Sequence, residues 1–164
     1  MYSVEKQAMV RVLIRTWSLL VCVLLFPGGC TRGEMVHCLV LSAGEPAKVT
    51  ARLPLESSGR FSLESINSIY NAPVKETLAY EPSGDIYVVM VESPSEDVFR
   101  YYGLEPGPGG RALLHRKVGE VRLRSSDYAN HRIAAGNRSL VLKGIVQDEE
   151  PVSLGVHSGR ICSD

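Results

Sequence analysis

Tryptophan is nearly absent from this 164-residue chain: Trp17 stands alone, beside seven tyrosines and three phenylalanines. The Cys–Trp–Cys pattern of an immunoglobulin core is therefore missing. Long apolar runs are lacking too. The run from Trp17 to Phe26 is about half the roughly twenty residues that a membrane-spanning helix needs. Excess charge of either sign is absent, with 18 Lys and Arg against 18 Asp and Glu. Electrostatic nucleic-acid binding is thereby disfavoured. The densest basic group (Arg111, Arg116, Lys117, Arg122, Arg124) is interrupted by Glu120 and reads as a solvated strand face. Motifs of chemistry are missing as well: there is no His-Glu-x-x-His, no Gly-x-Ser-x-Gly and no Gly-Lys-Ser/Thr. Internal repeats and long low-complexity tracts do not occur.

What is present begins in the first thirty residues. Arg11 and Arg15 precede the apolar run, and Pro27-Gly28-Gly29-Cys30 follows it. A basic segment, a short apolar segment and small residues at a cut point make a secretory signal peptide. Pro27, Gly28 and Gly29 would also stop a helix there. Met9 is an alternative start; counted from it, the basic segment contains no acid.

The stretch Leu24-Leu25-Phe26-Pro27-Gly28-Gly29-Cys30 resembles a lipobox, the processing site of bacterial lipoproteins. Gly28 and Gly29 fit that pattern; Pro27 departs from it, since an aliphatic residue usually stands there. The resemblance implies lipidation of Cys30 and attachment to a bacterial envelope. Thr31 follows Cys30 where Asp would signal retention at the inner membrane, which implies the outer membrane, facing the periplasm. The chain then divides into a signal peptide (1–29), a lipidated N-terminus and tether (30–36) and a folded domain (37–164). The leader holds three basic residues and one acid, leaving 15 of 18 basic and 17 of 18 acidic residues. Of the four cysteines, Cys22 leaves with the leader and Cys30 takes the lipid. Cys38 and Cys162 remain as an isolated pair. One disulfide is the simplest outcome in an oxidising compartment; two buried or free thiols are the alternative.

The body reads as β. Residues 36–42 form an apolar run of strand length. Lys48 to Leu53 alternates, with Val49, Ala51 and Leu53 expected on one buried face. Leu78–Tyr80 and Ile86–Val91 flank Glu81-Pro82-Ser83-Gly84-Asp85, a hairpin signal. Further strands are expected at 112–115, 118–124 and 139–146, where Gly144 suggests a bulge. Pro151 to Val156 reads as an edge strand, because Pro151 lacks a donor. Ser62 to Tyr70 has apolar residues at helical spacing and stays ambiguous. Glu96 to Leu104 fits either a short helix capped by Ser95 or an aromatic strand. Short strands with turn signals every 8–12 residues indicate an all-β fold, a single small β-sandwich of immunoglobulin-like or transthyretin-like type, with one short helix allowed.

His37, His115, His131 and His157 show no metal-ligand spacing, and no metal or cofactor is expected. His37 and Cys38 adjoin in a strand and should face opposite ways. Phe99, Tyr101 and Tyr102, with Tyr80 and Tyr87 in the preceding hairpin, form an aromatic group suited to a protein interface; filling the core is the alternative. Small immunity lipoproteins, which neutralise a toxin delivered to the periplasm, are similar in general form: a lipid anchor, one β domain and a cystine. That likeness implies a non-enzymatic chain that binds a protein partner. The competing readings are a structural lipoprotein of a type VI secretion assembly and a small periplasmic hydrolase. The hydrolase requires a pocket with converging His, Asp or Glu.

Overall fold

Side chains alternate across an extended strand, so apolar residues at every second position bury one face. The computed structural model describes residues 35–162, and ten strands arise there. They are β1 (Val36–Ala43), β2 (Lys48–Pro54), β3 (Arg60–Asn67), β4 (Ala72–Tyr80), β5 (Ile86–Glu92), β6 (Arg111–Lys117), β7 (Val121–Arg124), β8 (Arg132–Ala135), β9 (Arg138–Val141) and β10 (Pro151–Gly159). One helix, α1 (Glu96–Tyr102), lies between β5 and β6. The expected signal peptide, Cys30 and the tether as far as residue 34 lie outside the described residues.

The strands form two antiparallel sheets, ordered β2-β1-β10-β7 and β6-β5-β4-β3-β8-β9. Their inward faces share one apolar core. Leu39, Leu41, Val152 and Leu154 come from the smaller sheet; Phe61, Leu63, Val74, Leu78, Val91 and Ile133 come from the larger one. Fully burying each such side chain contributes about 1.5–3 kcal/mol. The fold is thus the all-β sandwich with one short helix. The hairpin β4–β5 forms as expected, with Tyr80 paired to Ile86 across the 81–85 turn.

One open reading is resolved and three change. Ser62–Tyr70 is no helix: β3 runs to Asn67, and residues 68–71 turn the chain into β4. Pairing on both sides, with β4 and β8, stabilises the extended form over the helical spacing. Val49 does not share the buried face of Ala51 and Leu53. Ser42 pairs Val49 while Leu41 pairs Ala51, so Thr50 is an extra residue. One inserted residue reverses the side-chain parity and turns Val49 outward, where it is exposed. Pro151–Val156 is not an edge strand. It belongs to β10, which lies between β1 and β7; Pro151 is tolerated as the first residue, where its missing donor matters least. The strand expected at 139–146 stops at Val141, and Gly144 sits in the turn that follows.

Segment 96–104 takes the helical alternative over Glu96–Tyr102, but Ser95, at the N-cap position, makes no capping hydrogen bond with its side chain. Val98 and Phe99 are buried on the face of α1 that meets the core. Glu96 and Asp97 in the first turn and Arg100 in the last suit the helix dipole. The strand β8 had no counterpart in the sequence reading. Its hairpin with β9 turns on only two residues, Gly136 and Asn137.

Cys38 and Cys162 form a disulfide, with Cα atoms 5.7 Å apart and 124 positions apart in sequence. Cys38 lies on the outer face of β1, opposite His157 of β10. The bond ties the segment after β10 back to the first strand.

Candidate functional site

The two ends of the sandwich differ. Val36, where β1 begins, pairs with Gly159 at one end. The other end carries the β3–β4 turn, α1 and the 125–130 segment. The β3–β4 turn is built by asparagines. The Asn67 Oδ1 accepts the Ile69 and Tyr70 N–H groups at 3.0 and 3.2 Å. Asn71 takes the left-handed conformation at φ 48°, which Asn adopts more readily than most residues. The geometry pushes Ile69 and Tyr70 into solvent, 64% and 39% exposed.

Tyr101 of α1 and Tyr128 join them, 58% and 56% exposed. The Tyr70 and Tyr101 rings meet edge-on, with centroids 6.4 Å apart. The Tyr128 hydroxyl donates to the Asn71 Oδ1 at 2.9 Å. Tyr101 also meets Tyr102 edge-on at 5.6 Å. Such edge-to-face contacts contribute about 0.5–1.5 kcal/mol each and fix ring orientation.

Tyr102 anchors the group from below. Its hydroxyl hydrogen-bonds the Glu76 carboxyl, which shares the inward face of β4 with Val74 and Leu78. Burial raises the Glu76 pKa, and the Tyr102 hydrogen bond partly offsets that rise. Burial, followed by the Glu76 charge, pushes the Tyr102 phenol well above its usual range.

Of the aromatic group read from the sequence, only part reaches this surface. Phe99 is 1% exposed and belongs to the core, so it is withdrawn from the surface group. Tyr102 is half-buried and supports Tyr101. Tyr80 and Tyr87 lie elsewhere: Tyr80 sits beside His37 with ring centroids 5.0 Å apart, and Tyr87 stacks on His115 at 4.2 Å. Ile69, Tyr70 and Tyr128 were not singled out. Their signal was the placement of large apolar side chains beside asparagines in turns, legible only once residues 62–67 are taken as a strand.

The histidines are dispersed. His37 Nδ1 lies 2.8 Å from Ser158 Oγ, and its neighbour Cys38 is in the disulfide on the other face. His115 Nε2 lies 2.8 Å from Glu81 Oε1. His131 has a buried Nδ1 without a hydrogen-bond partner, and burial lowers its pKa. Among the described residues no three His, Cys, Asp or Glu side chains are grouped to hold a metal ion.

A second surface feature lies on the outer face of the larger sheet. A cavity of about 630 Å³ opens over β3 and β4 beside the aromatic end, with Ile66, Pro73, Pro94 and Ala129 in its lining. A second cavity of about 430 Å³ shares Glu64 and Lys75 with it and extends to Arg60. Together they form one trough along β3. The chain matches no protein-family model, no curated protein and no solved structure.

Proposed function

We propose that this chain is an envelope-anchored lipoprotein whose sandwich binds a protein partner through the aromatic end formed by Ile69, Tyr70, Tyr101 and Tyr128. An immunity protein against a delivered toxin is the form of this reading that best fits a small single domain; a structural lipoprotein of an envelope assembly is the alternative. The observation that carries it is the exposure of four large side chains on one rigid end of the domain. Aromatic side chains held by turns and ring contacts lose little entropy on binding and suit interface anchors.

Chain geometry supports the same reading. Residues 30 to 36 span at most about 20 Å fully extended. A lipid on Cys30 would therefore hold the Val36 end of the sandwich close to the bilayer. The aromatic end is separated from it by the eight residues of β1, about 26 Å, and would be presented to the surrounding compartment.

The test is photo-crosslinking in bacterial envelopes, with a photoreactive residue in place of Tyr101 and, separately, of Tyr87. The expected result is one discrete adduct from position 101, none from position 87, and loss of the adduct when Tyr70 and Tyr128 become Ser. An adduct with a toxin encoded beside the gene would favour the immunity form. Equal labelling from both positions, or none, would reject the aromatic end as the interface.

A further inference from the structure

The trough on the outer face of the larger sheet crosses a ladder of charges. Side chains directly opposite one another in register alternate in sign: Arg132 on β8, Glu64 on β3, Lys75 on β4, Glu92 on β5 and Arg111 on β6. The acids of this ladder are unequally engaged. Glu92 is taken by Arg111, with Nε 2.7 Å from Oε1. Glu64 is shared loosely, at 3.6 Å from the Lys75 ammonium. Arg132 has no carboxylate partner among the described residues; its Nη2 donates to the Ser139 Oγ at 3.0 Å. Arg60, further along β3 in the same trough, also lacks a carboxylate partner among the described residues.

The trough is lined by three cations, Arg60, Lys75 and Arg132, and three carboxylates, Glu56, Glu64 and Glu92; Lys75 is paired with Glu64 and Arg111 with Glu92. That leaves two guanidinium groups, Arg60 and Arg132, without a carboxylate partner among the described residues, beside one such carboxylate, Glu56. The spacing is specific. Arg132 stands level with Glu64, and Arg60 lies four residues away on the same outward face of β3. Four residues of extended chain rise about 13 Å, and residues i and i+4 of such a chain point the same way. Ile66, two residues beyond Glu64 on that face, supplies an apolar contact in the lining.

We propose that the trough binds an extended segment of the partner protein lying along β3, with two acidic side chains four positions apart for Arg132 and Arg60. An apolar side chain two positions before the first acid, or after the last in the reverse direction, would cover Ile66. The assignment rests on the reading of this domain as a protein binder and names the chemistry of the segment it takes. Guanidinium groups suit the site because each can hold a carboxylate through two parallel hydrogen bonds.

The probe is a blocked synthetic heptapeptide, Leu-Thr-Glu-Thr-Ser-Thr-Glu, titrated into the isotopically labelled full chain in detergent and followed by amide chemical shifts. The expected result is saturable shifts confined to the trough, centred on residues 60–66 and 132–134. A peptide with both acids replaced by Gln, and one with the acids three positions apart, should give no saturable shift. R132Q and R60Q should each weaken binding by roughly two- to fivefold, as for a solvent-exposed ion pair, and leave the thermal midpoint unchanged. Equal binding by the Gln peptide, by the three-position peptide or by R132Q would overturn the proposal, as would the absence of shifts. The crosslink from position 101 separates the two readings: its persistence without peptide binding would sink the trough alone.

Discussion

Glu76 occupies an inward position of β4, between Val74 and Leu78 on a face that is otherwise apolar. A carboxylate there loses hydration, and the Tyr102 hydroxyl restores only one hydrogen bond. Its folded pKa is raised above the ordinary value of 4.5 by burial. The folded state thus binds a proton more tightly than the unfolded state. The stabilisation from that proton is fully present below the unfolded pKa and is lost as pH rises through the folded pKa. The Glu76→Gln variant, neutral throughout and still able to bond Tyr102, should gain stability relative to the parent as pH rises from about 4 to 8. Urea unfolding at several pH values measures the difference. A parallel offset at every pH would show that Glu76 is solvated. His131 acts in the opposite sense. Burial lowers its pKa below the ordinary 6.5, so its contribution is present above that value and lost as pH falls. The two windows are separable by making the Glu76→Gln change alone.

Turns decide where the elements meet, and two glycines of similar backbone show how. Gly59, before β3, has φ 63°, and a Cβ there would lie 2.5 Å from the Tyr80 carbonyl oxygen at the end of β4. Gly84, in the β4–β5 turn, has φ 90° with open space around it. Both positions strain an L side chain, by about 1–3 kcal/mol, but only Gly59 adds a collision with backbone. Gly59→Ala should therefore destabilise the domain by several kcal/mol, and Gly84→Ala by about 1 kcal/mol, read from denaturation midpoints. Similar losses at both sites would mean that β3 and β4 separate easily and that the collision is relieved by movement. The same reasoning explains why β3 resisted identification. Its inward residues Phe61 and Leu63 alternate, but Ile66, Ile69 and Tyr70 beyond them imitate a helical stripe. Nothing local distinguishes a stripe that continues from one that enters a turn. Pairing with β4 and β8 does.

Two sheets of different size share a core of mostly aliphatic side chains, and the first strand is linked to the segment after the last by Cys38–Cys162. For a loop of 124 residues the chain-entropy treatment assigns the bond about 4–5 kcal/mol. Replacing both cysteines with Ala should lower stability by roughly that amount, and the thermal midpoint by more than about 10 °C. A loss below about 1 kcal/mol would mean that the unfolded chain keeps the two ends together without the bond. Intact mass from bacterial envelopes reads the disulfide and the proposed anchor together. The expected mass is that of residues 30–164 plus acyl groups, rising by one pair of hydrogens on reduction. An unmodified chain cut elsewhere would remove the anchor and leave Cys30 as a third thiol.

Much of this was legible along the chain, and the limits have physical causes. Alternation and turn residues sufficed for the class of fold and for the β4–β5 hairpin, because both depend on neighbours in sequence. The pairing of Cys38 with Cys162 was one of two readings of the isolated cysteines, the other being two free thiols, and the bond in the fold decides it. The helix at 96–102 stayed open, because burial of Val98 and Phe99 requires a core that only the other strands supply. The interior place of β10, the outward turn of Val49 and the withdrawal of Phe99 all depend on strand order and register, which are relations between distant segments. The aromatic end joins residues from the β3–β4 turn, α1 and the 125–130 segment, and the trough brings together Arg60, Lys75 and Arg132. The sequence by itself determined the alternation that makes strands and the scarcity of partners for each cysteine. Only the tertiary structure decided which face each side chain shows, because a single inserted residue reverses that face and no local energy records it.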